Sequence, residues 1–231
     1  MKNYQHIFFD LDHTLWDYDT NAMTALHELY DHYRFEHITH FDKDTFVQHF
    51  FQVNNELWSL FNKHQIQREQ IRERRFATIF ERLNAKLDII PQQLDCEYVE
   101  LCPTKEAVFE GAHDVLDYLK ERYQLHIITN GFDDVQTIKM KSAKLDHYFD
   151  VIVTSENSNS RKPSAPIFEQ ALQRAGAKLN ESIMIGDNLE SDIQGARNFG
   201  MDHIWFNPCK LTSDFPPTYE IQMLSQLRNL L

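Results

Sequence analysis

Short runs of consecutive apolar residues recur along the chain, and each run stops abruptly at a polar residue. The first run is Ile7-Phe8-Phe9, which ends at Asp10. Four similar runs follow, at residues 125–129, 151–154, 183–186 and 203–206. Continuous apolar runs of this length are typical of strands that are buried on both faces in a parallel sheet.

Helical periodicity occupies the intervals between these runs. Apolar residues recur at helical spacing within residues 111–123, 133–147, 165–175, 189–199 and 219–231. In the second stretch the spacing places Val135, Ile138, Ser142 and Leu145 on one face, which is predicted to be buried. Gly176 directly follows the third stretch and is predicted to end that helix. The alternation of strands and helices predicts an α/β fold with a doubly wound, Rossmann-like parallel sheet.

Residues 17–102 break this alternation and contain only helical patterns. The chain has no glycine before Gly111, so left-handed turns are expected to be scarce in this part. We predict an all-helical cap inserted over residues 17–102, and a catalytic core made of residues 1–16 and 103–231. The insertion is interpreted as a lid over the carboxyl end of the sheet, or alternatively as added structural mass.

Composition and charge narrow the possible partners. The chain has 231 residues, 42% of them hydrophobic, and its formal net charge is −12. This charge argues against a nucleic-acid polymer as partner, because such binding depends on clustered Lys and Arg. No stretch approaches the roughly 18 apolar residues of a membrane span, so no membrane partner is expected. The first residues lack the long apolar region of a signal peptide, and we expect a cytoplasmic protein.

Carboxylates follow the first strand at alternate positions. Asp10 and Asp12 are two residues apart, so in an extended segment their side chains point the same way. Two carboxylates this close repel each other unless a proton or a cation lies between them, and Mg²⁺ prefers oxygen ligands. The alternatives are a solvated polar turn or a helix N-cap. Thr14 follows, with a hydroxyl that is able to anchor the loop.

The next two strands also end in polar residues. Thr129-Asn130-Gly131 follows the second strand and predicts a phosphate cradle of hydroxyl and backbone N–H groups, or alternatively a capping turn. Lys162-Pro163 follows the third strand, and Lys162 would place a positive charge on a phosphate or on a nucleophile, unless it is solvated.

Acidic residues close the pattern after the fourth strand. Asp187 directly follows that strand, and Asp192 lies in the first turn of the next helix. A further carboxylate at this edge would complete a metal site with Asp10, although a helix N-cap is the rival explanation, above all for Asp192. Because the carboxyl ends of parallel strands meet at one edge, the four groups are expected to form one site.

The four motifs resemble those of the haloacid dehalogenase superfamily. They are Asp10-Leu11-Asp12-His13-Thr14, Thr129-Asn130, Lys162-Pro163 and residues 186–192. The helical insertion resembles the C1-type cap of that superfamily. A narrower resemblance, carried by residues 53–58, 128–132 and 186–192, is to bacterial 5′-nucleotidases that act on noncanonical pyrimidine nucleotides. It implies Mg²⁺-dependent hydrolysis of a small-molecule phosphate ester, a pyrimidine nucleoside monophosphate.

The resemblance also implies a role for each catalytic residue. Asp10 would attack phosphorus and form an aspartyl-phosphate. Asp12 would protonate the leaving alcohol and then take a proton from the hydrolytic water. Thr129 and Asn130 would hold the transferring phosphoryl oxygens, and Lys162 would neutralise the charge of the phosphate and of Asp10.

A metal site is implied in the same way. Asp187 would bind Mg²⁺ together with the Asp10 carboxylate and the backbone carbonyl of Asp12. Asp192 would orient the groups around the metal, or Lys162.

Two positions depart from the superfamily pattern. His13 stands where glycine or glutamate is usual, and its backbone N–H is still expected to face the phosphate. The polar stretch 156–161 lacks the usual glycine and valine before Lys162. This departure is expected to shift the loop that carries the lysine, or to change the rim of the substrate pocket.

Other activities remain open from the sequence alone. A phosphoglycolate or sugar-phosphate phosphatase and a phosphoglucomutase would share the motifs and differ in the cap. A 2-haloacid dehalogenase needs the nucleophile without a metal, and the intact Asp12 and Asp187 count against it. A non-catalytic nucleotide-binding module would not need four complete motifs. The aromatic residues of the cap are predicted to pack in its interior rather than to stack on a base: Phe50, Phe51, Trp58 and Phe61.

Overall fold

The chain forms two compact units. The structure is a computed structural model that describes residues 3–231. The first unit, which we call the core unit, consists of Met1–Tyr18 and Glu106–Leu231. The second, which we call the helical unit, is Asp19–Lys105.

A six-stranded sheet organises the core unit. Its strands are β1 (His6–Phe9), β2 (Gln124–Ile128), β3 (Val151–Val153), β4 (Ser182–Gly186), β5 (Asp202–Phe206) and β6 (Tyr219–Ile221). The order across the sheet is β3-β2-β1-β4-β5-β6, and every neighbouring pair is parallel. This is the strand order of a doubly wound sheet, so the predicted Rossmann-like α/β fold is confirmed.

Ten α-helices lie in the described residues. They are α1 (Tyr18–His32), α2 (Phe35–Ile38), α3 (Lys43–Asn62), α4 (Arg68–Arg82), α5 (Leu94–Leu101), α6 (Ala112–Lys120), α7 (Asp133–Ser142), α8 (Ala165–Ala175), α9 (Gly195–Phe199) and α10 (Leu227–Leu230). A π-helical turn, Leu189–Gln194, precedes α9. No helix in this part of the chain is both long enough and apolar enough to cross a membrane.

The central strands are buried on both faces, as their continuous apolar sequences predict. Phe8 of β1 and Met184 of β4 belong to a cluster that also contains Ile167 and Phe168 of α8. All of these side chains are fully buried. Burial of apolar area stabilises by about 25 cal/mol per Å², so this layer stabilises the packing of α8 against β1 and β4.

Helix ends agree with the periodicity at some positions and not at others. Helix α8 spans the predicted residues and ends at Gly176, whose left-handed φ is 62°. Helix α7 ends at Ser142 rather than at 147, and the chain turns at Lys144, where φ is 56°. The helix predicted over 219–231 is wrong in its first part, because Tyr219–Ile221 pairs with β5 as the edge strand β6. Tertiary pairing outweighs local helical spacing there.

The helical unit has an aromatic interior. Phe35 contacts Phe46 and Phe80 edge to face, and Phe50 packs against Tyr98. Of the aromatic residues predicted to form this interior, two are buried (Phe50 and Phe61) and two are only partly buried (Phe51 and Trp58).

Left-handed turns occur in the helical unit although it has no glycine. Arg34, His64 and Asn84 adopt φ of 51°, 59° and 52° at or just beyond helix ends. The expectation that such turns would be scarce is therefore wrong. Asn and His adopt this conformation more readily than most residues, whereas Arg accepts a modest steric cost there.

Candidate active site

The polar residues that follow β1, β2 and β4 lie at one edge of the sheet. Asp10 follows β1, Thr129 follows β2 and Asp187 follows β4. These strands are parallel neighbours, with β1 between the other two, so their carboxyl ends are adjacent. The loop between β3 and α8 adds Lys162 to the same place.

Lys162 is the electrostatic centre of this edge. Its ammonium donates to Asp10 Oδ1 at 2.5 Å and to the Ile128 carbonyl oxygen at 2.7 Å, and it lies 2.7 Å from Asp192 Oδ1. The side chain is fully buried. Burial lowers the pKa of Lys162, but the two carboxylates raise it more strongly, above its usual range. The group is therefore a fixed, buried positive charge with all three hydrogens engaged.

Asn130 fixes the backbone of Lys162. Its Nδ2 donates to the Lys162 carbonyl oxygen at 2.9 Å, and its Oδ1 accepts from the Lys162 N–H at 2.8 Å. The Asn130 side chain therefore holds the loop that carries Lys162. This paired amide contact fixes the backbone from which the Lys162 side chain reaches Asp10.

Three carboxylates cluster around Lys162. One oxygen from each of Asp10, Asp187 and Asp192 lies within 4.8 Å of the others. Burial raises the pKa of Asp10 well above its usual value; Lys162 opposes this rise, while repulsion from Asp192 and Asp187 adds to it. Burial, followed by repulsion from Asp192, raises the pKa of Asp187 to about 7. Three acids against one lysine leave uncompensated negative charge, and an all-oxygen donor set with that charge fits Mg²⁺.

Asp187 is held by Thr14. The Thr14 hydroxyl donates to Asp187 Oδ1 at 3.1 Å and accepts from the Asp187 backbone N–H at 3.1 Å. Thr14 is fully buried. Thr14 thus connects the loop after β1 to Asp187, the residue that follows β4.

Asp192 is not the N-cap of its helix. That role belongs to Asn188, whose Oδ1 accepts from the N–H groups of Glu190 and Ser191. Asp192 is fully buried, contacts Lys162 and accepts from the Asn188 N–H at 3.0 Å. A Cβ atom at Gly186 would lie 2.3 Å from Asp192 Oδ2, so only glycine fits at the end of β4.

Asp12 has partners of its own. Lys139 donates to its Oδ1 at 2.6 Å, and Gln136 donates to its Oδ2 at 2.8 Å. Each carboxylate of the first motif is thus bonded to a lysine of its own, Asp10 to Lys162 and Asp12 to Lys139. Burial raises the pKa of Asp12, but Lys139 and the hydrogen bonds from Lys139 and Gln136 bring it below its usual value.

Sequence reasoning missed Gln136 and Lys139. The helical pattern predicted a buried face with Val135 and Ile138, and the observed buried residues of α7 are Gln136, Lys139 and Met140. Ile138 is instead exposed. Hydrophobic periodicity assumes that the buried face is apolar, and on α7 that face carries polar side chains to the site.

His13 also differs from expectation. Its backbone φ is 61°, in the left-handed region, and its N–H donates to the Trp16 carbonyl oxygen at 3.0 Å. The N–H that was expected to face a phosphate therefore closes the turn after β1. Histidine tolerates this conformation better than bulky or β-branched residues do.

Comparisons with known proteins identify the family of this chain. The sequence model of the haloacid dehalogenase-like hydrolase family matches residues 7–206. The pyrimidine 5′-nucleotidase PynA of Streptococcus pneumoniae is 33% identical over 99% of this chain and 95% of its own length. The pyrimidine 5′-nucleotidase YjjG of Escherichia coli is 31% identical over 97% of this chain and 96% of its own length.

A solved structure shares the fold over the full chain. It is that of the HAD-hydrolase YfnB from Bacillus subtilis bound to magnesium, with a TM-score of 0.87 and 26% identity, covering 99% of each chain. The resemblance read from the motifs is confirmed. This chain belongs to the haloacid dehalogenase-like hydrolase family and is a hydrolytic enzyme.

Proposed function

We propose that this protein is a Mg²⁺-dependent phosphomonoester hydrolase that forms an aspartyl-phosphate on Asp10 and acts on pyrimidine nucleoside monophosphates, noncanonical ones included. The observation that carries the chemistry is the buried Lys162 ammonium, bonded to Asp10 at 2.5 Å beside three clustered carboxylates. A carboxylate and a phosphate dianion repel each other, so a fixed positive charge beside the carboxylate is needed for the two to approach.

The first half of the reaction joins Asp10 to phosphorus. A carboxylate oxygen of Asp10 forms the new P–O bond, the ester P–O bond breaks, and the ester oxygen takes the proton of the acid form of Asp12, which the second half of the reaction restores. Lys162 reduces the repulsion between the nucleophile and the phosphate. Thr129 accepts from the Gly131 N–H and from Gln136, which leaves its hydroxyl hydrogen to donate to a phosphoryl oxygen. In the second half, Asp12 takes a proton from the water that hydrolyses the acyl phosphate.

A divalent cation fits this site. Asp10 and Asp187, with the backbone carbonyl of Asp12, would hold it, and Asp192 would orient Lys162 rather than bind the ion. When bound, Mg²⁺ supplies positive charge for the phosphoryl oxygens.

Magnesium should stabilise the protein more strongly at high pH than at low pH. Folded Asp187 keeps its proton up to about pH 7, whereas the unfolded chain loses it near about pH 4. In this window the folded state binds more protons, so this stabilising contribution is complete below about pH 4 and is lost as the pH rises through about 7. Mg²⁺ binds ionised carboxylates, so its stabilising effect should be larger once these protons are lost.

The measurement is thermal unfolding with and without Mg²⁺, at about pH 5.5 and about pH 8. The increase in Tm on adding Mg²⁺ should be larger at the higher pH, and the difference should shrink in Asp187→Asn. Equal increases at both pH values would contradict the assignment of Asp187 to the metal site.

The substrate class is supported by the relatives. PynA and YjjG, both named pyrimidine 5′-nucleotidases, align with nearly the whole of this chain, including residues 17–102 that we propose as the cap. The core motifs contact phosphate in this proposal, so the rest of the substrate is selected elsewhere in the chain. Because the alignment extends through the cap, it supports a pyrimidine nucleoside as the leaving group more strongly than the motifs do.

The test is phosphate release from a panel of esters with Mg²⁺. The panel contains UMP, dUMP, dTMP, halogenated pyrimidine monophosphates, purine monophosphates, sugar phosphates and phosphoglycolate, with halide release from 2-haloacids measured in parallel. We expect kcat/KM for pyrimidine monophosphates to exceed the values for the other esters by at least about tenfold. A preference for sugar phosphates or phosphoglycolate would overturn the substrate class, and metal-independent halide release would overturn the chemistry.

A further inference from the structure

We propose that Lys139 and Gln136 are positioning residues, which hold the Asp12 side chain in the orientation from which its acid form protonates the leaving group and its carboxylate form takes a proton from water. The inference rests on the proposed function, because it assigns the proton transfer to Asp12. It concerns two residues that lie in none of the four sequence motifs.

Both donors come from the same face of α7. Gln136 and Lys139 are three residues apart, so their side chains project from adjacent positions on the helix surface. Gln136 Nε2 is 2.8 Å from Asp12 Oδ2, and Lys139 Nζ is 2.6 Å from Asp12 Oδ1. Rotation of the carboxylate would break both bonds together, so α7 fixes the plane of the Asp12 carboxylate as well as its position.

The surroundings of Lys139 show that its placement is specific. Its side chain is buried, with the ammonium 4.5 Å from the centre of the Trp16 ring and 5.7 Å from that of Tyr18. Burial of a lysine is unfavourable unless its charge is paired, and here a carboxylate and two aromatic faces surround it. Lys141, on the same helix, is exposed. A lysine on α7 can therefore be exposed to solvent, whereas the side chain of Lys139 is buried.

Gln136 connects the proton donor to the phosphate cradle. Its Nε2 also donates to Thr129 Oγ1 at 2.7 Å, while its buried Oε1 has no hydrogen-bond partner in the described part of the chain. A Cβ atom at Gly131 would lie 2.2 Å from Nε2, so glycine is needed to admit the amide. An unsatisfied buried oxygen is a stability cost, which fits an amide whose place is set by Asp12 and Thr129 rather than by packing.

A misplaced Asp12 should affect substrates according to their leaving groups. The bond to phosphorus breaks in all of them, but the departing oxygen differs in its need for a proton. A nucleoside 5′-oxygen or a phenolate leaves poorly when it is not protonated, whereas p-nitrophenolate leaves readily without a proton. Loss of orientation at Asp12 therefore has a signature that a general loss of stability does not have.

The experiment compares Lys139→Met with wild type on phenyl phosphate, p-nitrophenyl phosphate and UMP, all with Mg²⁺. The quantity is kcat/KM, which reports the steps up to phosphoryl transfer to Asp10. The two aryl esters are similar in size and differ mainly in leaving-group acidity. We expect a loss of about 30-fold or more on phenyl phosphate and UMP, and of less than about threefold on p-nitrophenyl phosphate. Lys141→Met is the matched control and should match wild type on all three.

Two further variants keep the result interpretable if Lys139→Met folds poorly. Gln136→Met removes no charge and should show the same substrate dependence, with a loss of about tenfold on phenyl phosphate. In an Asp12→Asn background, Lys139→Met should cause no further loss, because both changes act on the same proton transfer.

The outcomes separate this inference from the proposed function. Equal losses on both aryl esters, or additive losses with Asp12→Asn, would refute the positioning role while leaving the phosphatase intact. Wild-type protein that releases no phosphate from any of the three esters would overturn the proposed function itself.

Discussion

Asp10→Asn is expected to lower kcat for phosphomonoester hydrolysis by at least about 10³-fold. An amide cannot form the acyl phosphate, and no neighbouring carboxylate is placed to replace it. Asp187 and Asp192 belong to the same cluster, but the first is bonded to Thr14 and the second to the Asn188 N–H and Lys162. Asp12 is held by α7.

The same substitution should leave the fold intact. Asp10 is one of three carboxylates around one lysine, and burial together with its acidic neighbours raises its pKa well above the usual value. Removal of that charge relieves repulsion in the metal-free protein, while Lys162 keeps Asp192 as a partner at 2.7 Å. Thermal unfolding without metal should therefore give a Tm that is no lower than that of wild type at about pH 8.

Two controls define this result. Asp146→Asn changes an exposed acid of the same unit and should match wild type in rate and Tm. Asp10→Ala excludes residual activity from slow hydrolysis of the new amide. Retention of more than about 1% of the wild-type rate by both Asp10 variants would remove Asp10 from the role of nucleophile.

The positions of the main site residues could be predicted from the sequence because strand ends are geometrically constrained. Once β1, β2 and β4 are recognised as parallel, Asp10, Thr129 and Asp187 must lie at one edge, whatever the loops do. The approach of Lys162, in the loop that follows β3, agrees with the same reasoning. These features depend on backbone topology, which the apolar runs specify well.

The contacts made by side chains could not be predicted in this way. The pattern did not indicate that the Asn130 side chain pairs with the backbone of Lys162. It also placed Ile138 on the buried face of α7, which in the structure carries Gln136 and Lys139 while Ile138 is exposed. A hydropathy pattern cannot identify a buried polar face, because polar residues read as exposed. The prediction of a helix at β6 failed for a related reason, because pairing with β5 is a long-range contact that local spacing does not report.

Lys162→Met is expected to lower kcat by at least about 10³-fold and to destabilise the protein in a pH-dependent manner. In the described part of the chain, no other lysine or arginine is bonded to the carboxylates of Asp10, Asp187 or Asp192. Without Lys162, the pKa of Asp10 rises further, because this ammonium is the main influence that lowers it. A protonated Asp10 is a poor nucleophile, so the loss of rate follows from charge as well as from position.

The stability change has a defined sign. Removing one partner of a buried ion pair costs about 3–5 kcal/mol when the other partner stays charged. At lower pH the remaining carboxylates can take up protons, so the cost should be smaller at about pH 6 than at about pH 8. Urea unfolding without metal at both pH values measures the difference, and Lys178→Met, at an exposed position of the same unit, is the matched control.

The two measurements together distinguish a catalytic lysine from a structural one. A lysine that only supported the fold would lower the stability, and the folded fraction at about pH 6 would keep nearly the full rate per folded molecule. A lysine that only contacted phosphate would raise KM and leave the unfolding free energy of the metal-free protein unchanged. The geometry at Lys162, bonded at once to Asp10, to Asp192 and to the end of β2, predicts both losses, and a variant that shows only one of them would contradict the proposed role.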